Sequence, residues 1–171
     1  MSSDIRTATV PVGNGSSTVM ALDLPASWSA IPEPGPVLAA FSDGRALSPG
    51  IATTAVITAD PLPEGTALEP WQQAVRTAQL TSLPDLQVLD DRRLDAVDGS
   101  AQWYCASVMT DQNGVTVLTR RFCRTVPGLG LTLTLTTLPL VDAQHADRLD
   151  AIAESWRLSA PAEDGADDDQ A

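Results

Sequence analysis

The chain has 171 residues, a hydrophobic fraction of 43% and a formal net charge of −12 at pH 7. This hydrophobic content is enough for a folded core, which excludes a chain that is disordered throughout. The acidic balance repels phosphate backbones, and no apolar run reaches the ~18 residues of a membrane span, so we expect neither nucleic-acid binding nor membrane insertion.

The first third of the chain is typical of strands separated by turns. Gly13-Asn-Gly15 is a turn signal between the first two strands. A connection with Pro32, Pro34 and Pro36 follows, which can be neither a helix nor a central strand. These strands are predicted over residues 6–12, 16–24, 37–41 and 51–59.

A helix is predicted next. Thr66-Ala-Leu-Glu69 matches the capping box that opens a helix, although Pro70 could instead move the start to Glu69. Pro84 ends the helical pattern. The residues expected on its buried face are Leu68, Trp71, Val75, Ala78 and Ser82.

Four further strands are predicted over residues 86–97, 101–110, 115–125 and 129–138. The middle two form the clearest hairpin, closed by Asp111-Gln-Asn-Gly114. The last strand alternates leucine and threonine, which indicates one buried face and one half-polar face. The threonine face could meet solvent, or lie under a helix with its hydroxyls bonded locally.

The chain then continues into a second helix. Pro139 ends the last strand, and Asp142 is the expected N-cap of the helix. Its apolar stripe is Leu149, Ile152, Ala153 and Trp156. We expect one domain over residues 1–159 and a disordered acidic tail over 160–171. Neighbouring strands with two helices favour the α+β class, with a mainly antiparallel sheet flanked by those helices.

The two cysteines lie on opposite arms of the predicted hairpin. A two-residue turn would place Cys105 opposite Phe122 and put Cys123 on the other face of the sheet. A three-residue loop would place Cys105 opposite Arg121, with both cysteines on one face. A bulge could bring them directly opposite for a disulfide, but in a cytosolic protein we expect two reduced, packed thiols.

No catalytic, cofactor-binding or metal-binding residue emerges from the sequence. There is no Gly-x-Ser-x-Gly nucleophile motif, and the single histidine, His145, is expected on the solvent face of the last helix. Two cysteines and one histidine do not supply a compact zinc site. The many acidic residues fall in turns, caps and the tail, so no pair stands out for acid–base catalysis.

Arginines concentrate on two predicted strands. Alternation places Arg120 and Arg124 on one side of their strand and Arg121 on the other. With Arg92 and Arg93 they could form a positive patch. Cross-strand pairing with Asp90, Asp91 or Asp95 is the alternative that we favour.

Several segments resemble the Mog1/PsbP-like families, and within them actinobacterial LpqN-like proteins and bacterial DcrB/Eag chaperone-type proteins. The resemblance covers residues 16–158. It is carried by Leu22-Asp-Leu-Pro-Ala-Ser-Trp28, Ile51 to Ala59 with Thr66-Ala-Leu-Glu-Pro-Trp71, Asp98-Gly-Ser-Ala101, Leu131 to Thr136, and Ile152-Ala-Glu-Ser-Trp-Arg-Leu158. The resemblance implies a curved antiparallel sheet flanked by helices, an α/β/α sandwich, without an active site to carry over.

The resemblance also implies a role in binding other proteins. We therefore expect a non-enzymatic adaptor or chaperone-like domain with a protein partner. A small-molecule or lipid carrier with a pocket between sheet and helix is the alternative. LpqN-like proteins carry a lipoprotein signal with a lipidated cysteine, which we do not find, so we expect a cytoplasmic protein. Every basic residue is an arginine, a bias that we associate with high-GC, actinobacterial coding.

Overall fold

The structure is a computed structural model that describes residues 4–12, 18–32, 37–47, 51–111 and 113–159. Three sequence predictions lie outside this part of the chain: the turn at Gly13-Asn-Gly15, most of the proline-rich connection, and the tail from residue 160 onward.

The described residues form ten strands and two helices. They are β1 (Ile5–Pro11), β2 (Val19–Pro25), β3 (Ser29–Ala30), β4 (Ala39–Ser42), β5 (Thr54–Pro61), α1 (Leu68–Ser82), β6 (Gln87–Asp95), β7 (Ala101–Thr110), β8 (Thr116–Val126), β9 (Leu129–Thr137), α2 (Pro139–Glu154) and β10 (Arg157–Ser159). All the predicted strands and both helices are present, with ends that shift by a few residues. The two shortest strands, β3 and β10, are the ones that the sequence pattern did not predict.

The strands form two antiparallel sheets. The larger has the order β3-β4-β5-β9-β8-β7-β6, and the smaller has the order β1-β2-β10. Hairpin connections join β6 through β9, because each strand pairs with its neighbour in the chain. Together with the two helices, this arrangement confirms the predicted α+β class.

The main core lies between the large sheet on one side and the small sheet with α2 on the other. Side chains along a strand alternate between the two faces of the sheet. Leu131, Leu133 and Leu135 of β9 therefore all point into the main core, where they are fully buried. Helix α2 contacts β2, β8 and β9. The other residues of the core are Val10, Val12, Met20, Leu22, Leu24, Trp28, Phe41, Ala55, Ile57, Phe122, Leu149, Ile152, Ala153 and Trp156.

Helix α1 covers the opposite face of the large sheet, the face of the β9 threonines. Thr132 is buried, and its hydroxyl donates to the Cys123 sulfur at 3.6 Å. Gly130 lies directly beneath Trp71, whose ring atoms would come within 2.4 Å of a Cβ at this position. Of the two alternatives for the threonine face, the helix-covered one is therefore found near Trp71, with local hydroxyl bonds.

The start of α1 differs from its prediction. Its N-cap is Ala67, with no side-chain cap, and the Thr66 hydroxyl donates instead to the Pro63 carbonyl at 2.7 Å. The predicted capping box is therefore wrong.

The buried face of α1 is also narrower than expected, because only Trp71 and Gln72 are buried in this helix, whereas Ala78 and Ser82 are exposed. The helix lies across the sheet with one side in water.

The start of α2 also differs. The N-cap is Leu138 with Pro139 in the first turn, so the prediction of Asp142 as N-cap is wrong. Proline suits this position because the first N–H groups of a helix have no intrahelical acceptor. The backbone is non-helical at His145, and Trp156 follows the end of the helix rather than lying on it. Trp156 is nevertheless fully buried.

Candidate functional site

A groove runs over the part of the large sheet that α2 leaves uncovered, with a volume of about 450 Å³. Strands β6, β7 and β8 form its floor, and the last turns of α2 form one wall with Asp150, Ala153 and Glu154. The small sheet and α2 cover the neighbouring strands, so this is where the core-facing side of the sheet opens to solvent.

The strand register determines which side chains share the floor. Arg92 pairs with Tyr104, and Tyr104 pairs with Phe122. Directly opposite residues lie on the same face of a sheet, so these three side chains form one row across the floor. Continuing the register by one residue beyond Trp103 and Cys123 places Gln102 opposite Arg124 in the adjacent row.

Arg120 joins the floor of the groove to its wall. Its Nε and Nη2 each donate to an Asp142 carboxylate oxygen at 2.7 Å, and its Nη1 donates to Asp150. Burial alone lowers the pKa of Arg120, but the hydrogen bond and charge of Asp142 and the charge of Asp150 outweigh it, and the pKa is raised. This pair of contacts fixes α2 against β8.

Arg124 is almost fully enclosed, with 2% of its surface exposed. Its Nη1 donates to Asp98 at 3.0 Å, and its Nη2 donates to the Trp156 carbonyl at 2.7 Å. Burial lowers the pKa of Arg124, and the Asp98 carboxylate opposes that effect. Arg124 Nε has no hydrogen-bond partner among the described residues, which leaves one donor of a buried cation unused.

Gln102 adds a second donor of this kind. It is 6% exposed, it lines the groove, and its Nε2 has no hydrogen-bond partner in the described part of the chain. A buried amide without a partner costs about 1–3 kcal/mol relative to a paired one. Two unused donors therefore lie on neighbouring strands in one row of the floor.

Tyr104 forms the aromatic part of the floor. Its ring centroid lies 5.0 Å from that of Phe122, and the Arg92 guanidinium carbon lies 5.7 Å above its ring. Loss of solvent around the phenol raises the pKa of Tyr104. The hydroxyl therefore stays protonated at neutral pH and can donate or accept a hydrogen bond, but it does not supply a base.

The rim of the groove carries carboxylates. Asp90 pairs with Arg92 at 3.1 Å, in a contact that is largely exposed. Asp95 and Glu154 also line the groove, and neither forms an ion pair with any residue that the structure describes. Glu154 is the last residue of α2, where the helix dipole is negative. The rim is therefore acidic, above a floor that offers donors.

The three arginines of β8, Arg120, Arg121 and Arg124, have different partners from those expected from the sequence. Alternation correctly separated Arg120 and Arg124 from Arg121, which points to α1 and donates to Gln79 at 2.8 Å. The favoured cross-strand pairing with aspartates of β6 is wrong for all three, because their partners lie in α1, α2 and the β6–β7 turn. Each of the three is engaged, so they do not form an open positive patch.

The cysteines follow the register of the three-residue loop, one of the three arrangements considered, rather than that of the two-residue turn or of a bulge. Cys105 lies opposite Arg121 and Cys123 opposite Trp103, so both thiols are on the α1 face. Both are free and buried. Burial raises the pKa of each thiol, which keeps it protonated and weakly nucleophilic at neutral pH.

The described residues offer few side chains suited to catalysis or metal binding. His145 is exposed on α2, on the solvent side, as the sequence indicates. Within the described residues, no three His, Cys, Asp or Glu side chains gather into a group that could hold a metal ion. Neither helix of this part of the chain is both long and apolar enough to cross a membrane.

A second surface feature lies on the other side of β6. Four apolar side chains are exposed around the connection from α1 to β6, and we call them the α1–β6 patch: Leu80, Leu83, Val88 and Leu89. Arg76 of α1 forms an ion pair with Asp91 of β6, which joins the helix to this strand. A register shift between Val88 and Asp90 leaves Leu89 as the bulged residue.

Comparison with solved structures gives the fold. The solution structure of cyanobacterial PsbP (CyanoP) from Synechocystis matches with a TM-score of 0.62 and 14% identity, over 92% of this chain and 94% of that one. The crystal structure of LpqN from Mycobacterium tuberculosis, described as involved in cell envelope biogenesis, matches with a TM-score of 0.67 and 20% identity, over 91% of each chain.

A protein of unknown function from Pseudomonas aeruginosa matches with a TM-score of 0.55 and 15% identity, over 79% of this chain and 88% of that one. No protein-family model matches the sequence. No curated protein matches it either. The chain has the PsbP/Mog1-like fold that its sequence resemblance implies, and at these identities the likeness concerns the fold alone.

Proposed function

We propose that the chain is a non-enzymatic protein-binding domain of the adaptor type, and that the α1–β6 patch is its docking surface. The observation that carries the proposal is the exposure of four apolar side chains that lie close together in the chain, at the end of α1 and the start of β6, the outermost strand of the large sheet as the structure describes it. Scattered apolar residues on a surface need no explanation, but a contiguous group is typical of an interaction site.

The strand edge suggests how a partner would bind. Strand β6 is the last strand of the large sheet, so one side of its backbone has no neighbouring strand among the described residues. The stretch Asp90–Asp95 carries five charged residues, a common protection of an edge, whereas Gln87–Leu89 carries none. An extended partner segment with apolar side chains could add to this uncharged stretch and pack against the patch.

The fold relationship supports the same class of function. LpqN is described as involved in cell envelope biogenesis, and neither that description nor the one for CyanoP names a reaction. The weak nucleophiles and the lone exposed histidine of the present chain agree with a role that does not require catalysis.

The test is affinity capture from the native host with two matched variants. Leu89 is 57% exposed within the patch, and Leu140 is 69% exposed on α2, away from it. We expect wild type and Leu140→Glu to retain the same partner, and Leu89→Glu to lose it, with equal melting temperatures for all three. Retention of that partner by Leu89→Glu would refute the docking surface.

A small-molecule carrier is the second candidate function, and the groove favours it. The groove lies between the sheet and α2, the position that we expect for a carrier pocket from the sequence. Its lining includes Arg92, Arg120 and Arg124 as well as several carboxylates, and charged groups of this kind disfavour a lipid chain. A carrier of this design would hold a polar ligand.

We propose a cytoplasmic location as part of the same function. Two buried free thiols suit a reducing compartment, where protein disulfides are rare. Fractionation of host cells with an antibody against the chain tests this point. Recovery in a membrane or secreted fraction would refute the location and leave the docking surface to be judged on its own test.

A further inference from the structure

We infer that a cavity between α2 and the connection from β4 to β5 binds a small organic anion, a carboxylate with an apolar body, through the side chains of Arg45 and Arg148. The cavity shares no lining residue with the α1–β6 patch or with the groove, so the inference does not depend on the proposed function.

The cavity lies beside the first half of α2 and has a volume of about 180 Å³. The helix lines one side with His145 and Arg148. The segment that follows β4 lines another side with Asp43 and Arg45. Two elements that are far apart in the chain therefore bring two arginines to one concave surface. Both arginines are exposed, so their guanidinium groups are accessible to a ligand.

Basic side chains outnumber acidic ones in this cavity, although the whole chain has 22 acidic residues against 10 arginines. Arg45, His145 and Arg148 line it, whereas Asp43 is its one acidic lining residue among those that the structure describes. The Asp43 carboxylate accepts the backbone N–H of Arg45 at 3.0 Å. Neither Arg45 nor Arg148 forms an ion pair within the described ranges. This local excess of positive charge favours an anionic ligand.

Apolar side chains supply another part of the lining and set the second requirement. Trp28 and Leu149 are buried in the cavity wall, and Leu47 and Val141 are half-buried. A small inorganic ion would leave this apolar surface in contact with water, whereas the body of an organic carboxylate would cover it. Guanidinium groups match the two oxygens of a carboxylate. The small volume limits the ligand to a few heavy atoms.

The probe is benzoate, titrated into the full chain at constant ionic strength and followed by NMR. The indole N–H resonance of Trp28 reports binding, and that of Trp71, on the α1 side of the large sheet, is the internal reference. We expect saturable binding in the millimolar range, because the ligand has few heavy atoms. Benzamide, which is neutral, and acetate, which lacks the apolar body, should each bind roughly tenfold more weakly. Equal affinity of benzoate and either analogue would overturn the inference, as would the absence of saturation up to about 50 mM.

Two variants localise the site. Arg45→Gln and Arg148→Gln each remove one exposed guanidinium, so the affinity for benzoate should fall roughly three- to tenfold while the melting temperature stays at the wild-type value. Arg93→Gln is the matched control, because Arg93 is also exposed and without an ion pair in the described part of the chain, but lies on β6 outside the cavity.

An unchanged affinity in Arg45→Gln or Arg148→Gln would show that the site is wrong, as would an equal loss in Arg93→Gln. Leu89→Glu should bind benzoate as wild type does, which separates this test from that of the docking surface.

Discussion

The guanidinium of Arg124 lies over the indole ring of Trp156, with its Cζ 4.5 Å from the ring centroid, while it donates to the Trp156 carbonyl at 2.7 Å. Strand β8 is thereby joined to the residue that links α2 to β10. The contact buries both side chains and closes the end of the core next to the groove.

The first prediction concerns Trp156. The side chain is fully buried among the residues of the main core, so Trp156→Ala should lower the free energy of unfolding by about 3–5 kcal/mol. Trp156→Phe should cost less, because it keeps most of the apolar contact and removes an indole N–H that has no partner in the described ranges. Urea denaturation measures both values. An unchanged midpoint for Trp156→Ala would contradict the role of this residue.

The second prediction concerns acid stability. Hydrogen bonds from Ser100 and the charge of Arg124 hold the pKa of Asp98 below its ordinary value. Because the folded-state pKa is lower than the unfolded one, the stabilisation is present above about pH 4 and is lost as the pH falls through the folded pKa. Asp98→Asn should therefore lower the melting temperature at about pH 7 and have less effect at about pH 3.

Asp23 contributes with the same sign. Its pKa is lowered first by the hydrogen bond from Arg157 and then by that from Thr7. Wild type and Asp98→Asn should thus both lose stability in acid, with a shallower slope for the variant. Parallel melting curves at every pH would show that Asp98 has the same pKa in the folded and unfolded states.

The third prediction concerns Gly130. A Cβ at this position would come within 2.4 Å of Trp71, so Gly130→Ala should lower the free energy of unfolding by about 1–3 kcal/mol. The expected loss of stability comes from a steric clash between the added Cβ and the indole ring of Trp71, not from the backbone conformation of Gly130. In a Trp71→Leu background the cost of Gly130→Ala should fall, which a double-mutant cycle measures. Additive effects would refute the contact.

The fourth prediction concerns the thiols. Cys105 and Cys123 are free and buried, and burial raises the pKa of each. A disulfide exchange reagent should therefore modify neither thiol at an appreciable rate in the native protein, and both after denaturation. Rapid modification of native protein would indicate a reactive site, and the variants Cys105→Ala and Cys123→Ala identify which residue carries it.

The fifth prediction concerns catalysis. His145 is the single histidine and is exposed, so an enzyme built on this chain would have few other bases near neutral pH. We expect no turnover above background from wild type or from His145→Ala on a panel of esterase, phosphatase and peptidase substrates. Turnover by wild type that is lost in a stably folded His145→Ala would overturn the non-enzymatic reading.

Part of the candidate site could be predicted from the sequence. Alternation in β8 correctly placed Arg120 and Arg124 on one face and Arg121 on the other, because successive side chains of a strand point to opposite sides. The partners could not be predicted in the same way. Asp142 and Asp150 come close to Arg120 only because α2 crosses that face of the sheet.

The sequence by itself determined the long strands, the hairpin of β7 and β8, and the burial of the β9 leucines, since periodicity and turn residues are local signals. Only the tertiary structure decided the hairpin register, the short strands β3 and β10, the narrow buried face of α1, and the groove with its row of Gln102 and Arg124. Each of these depends on which element lies against which, and the burial of a side chain follows from the surface that covers it rather than from its neighbours in the chain.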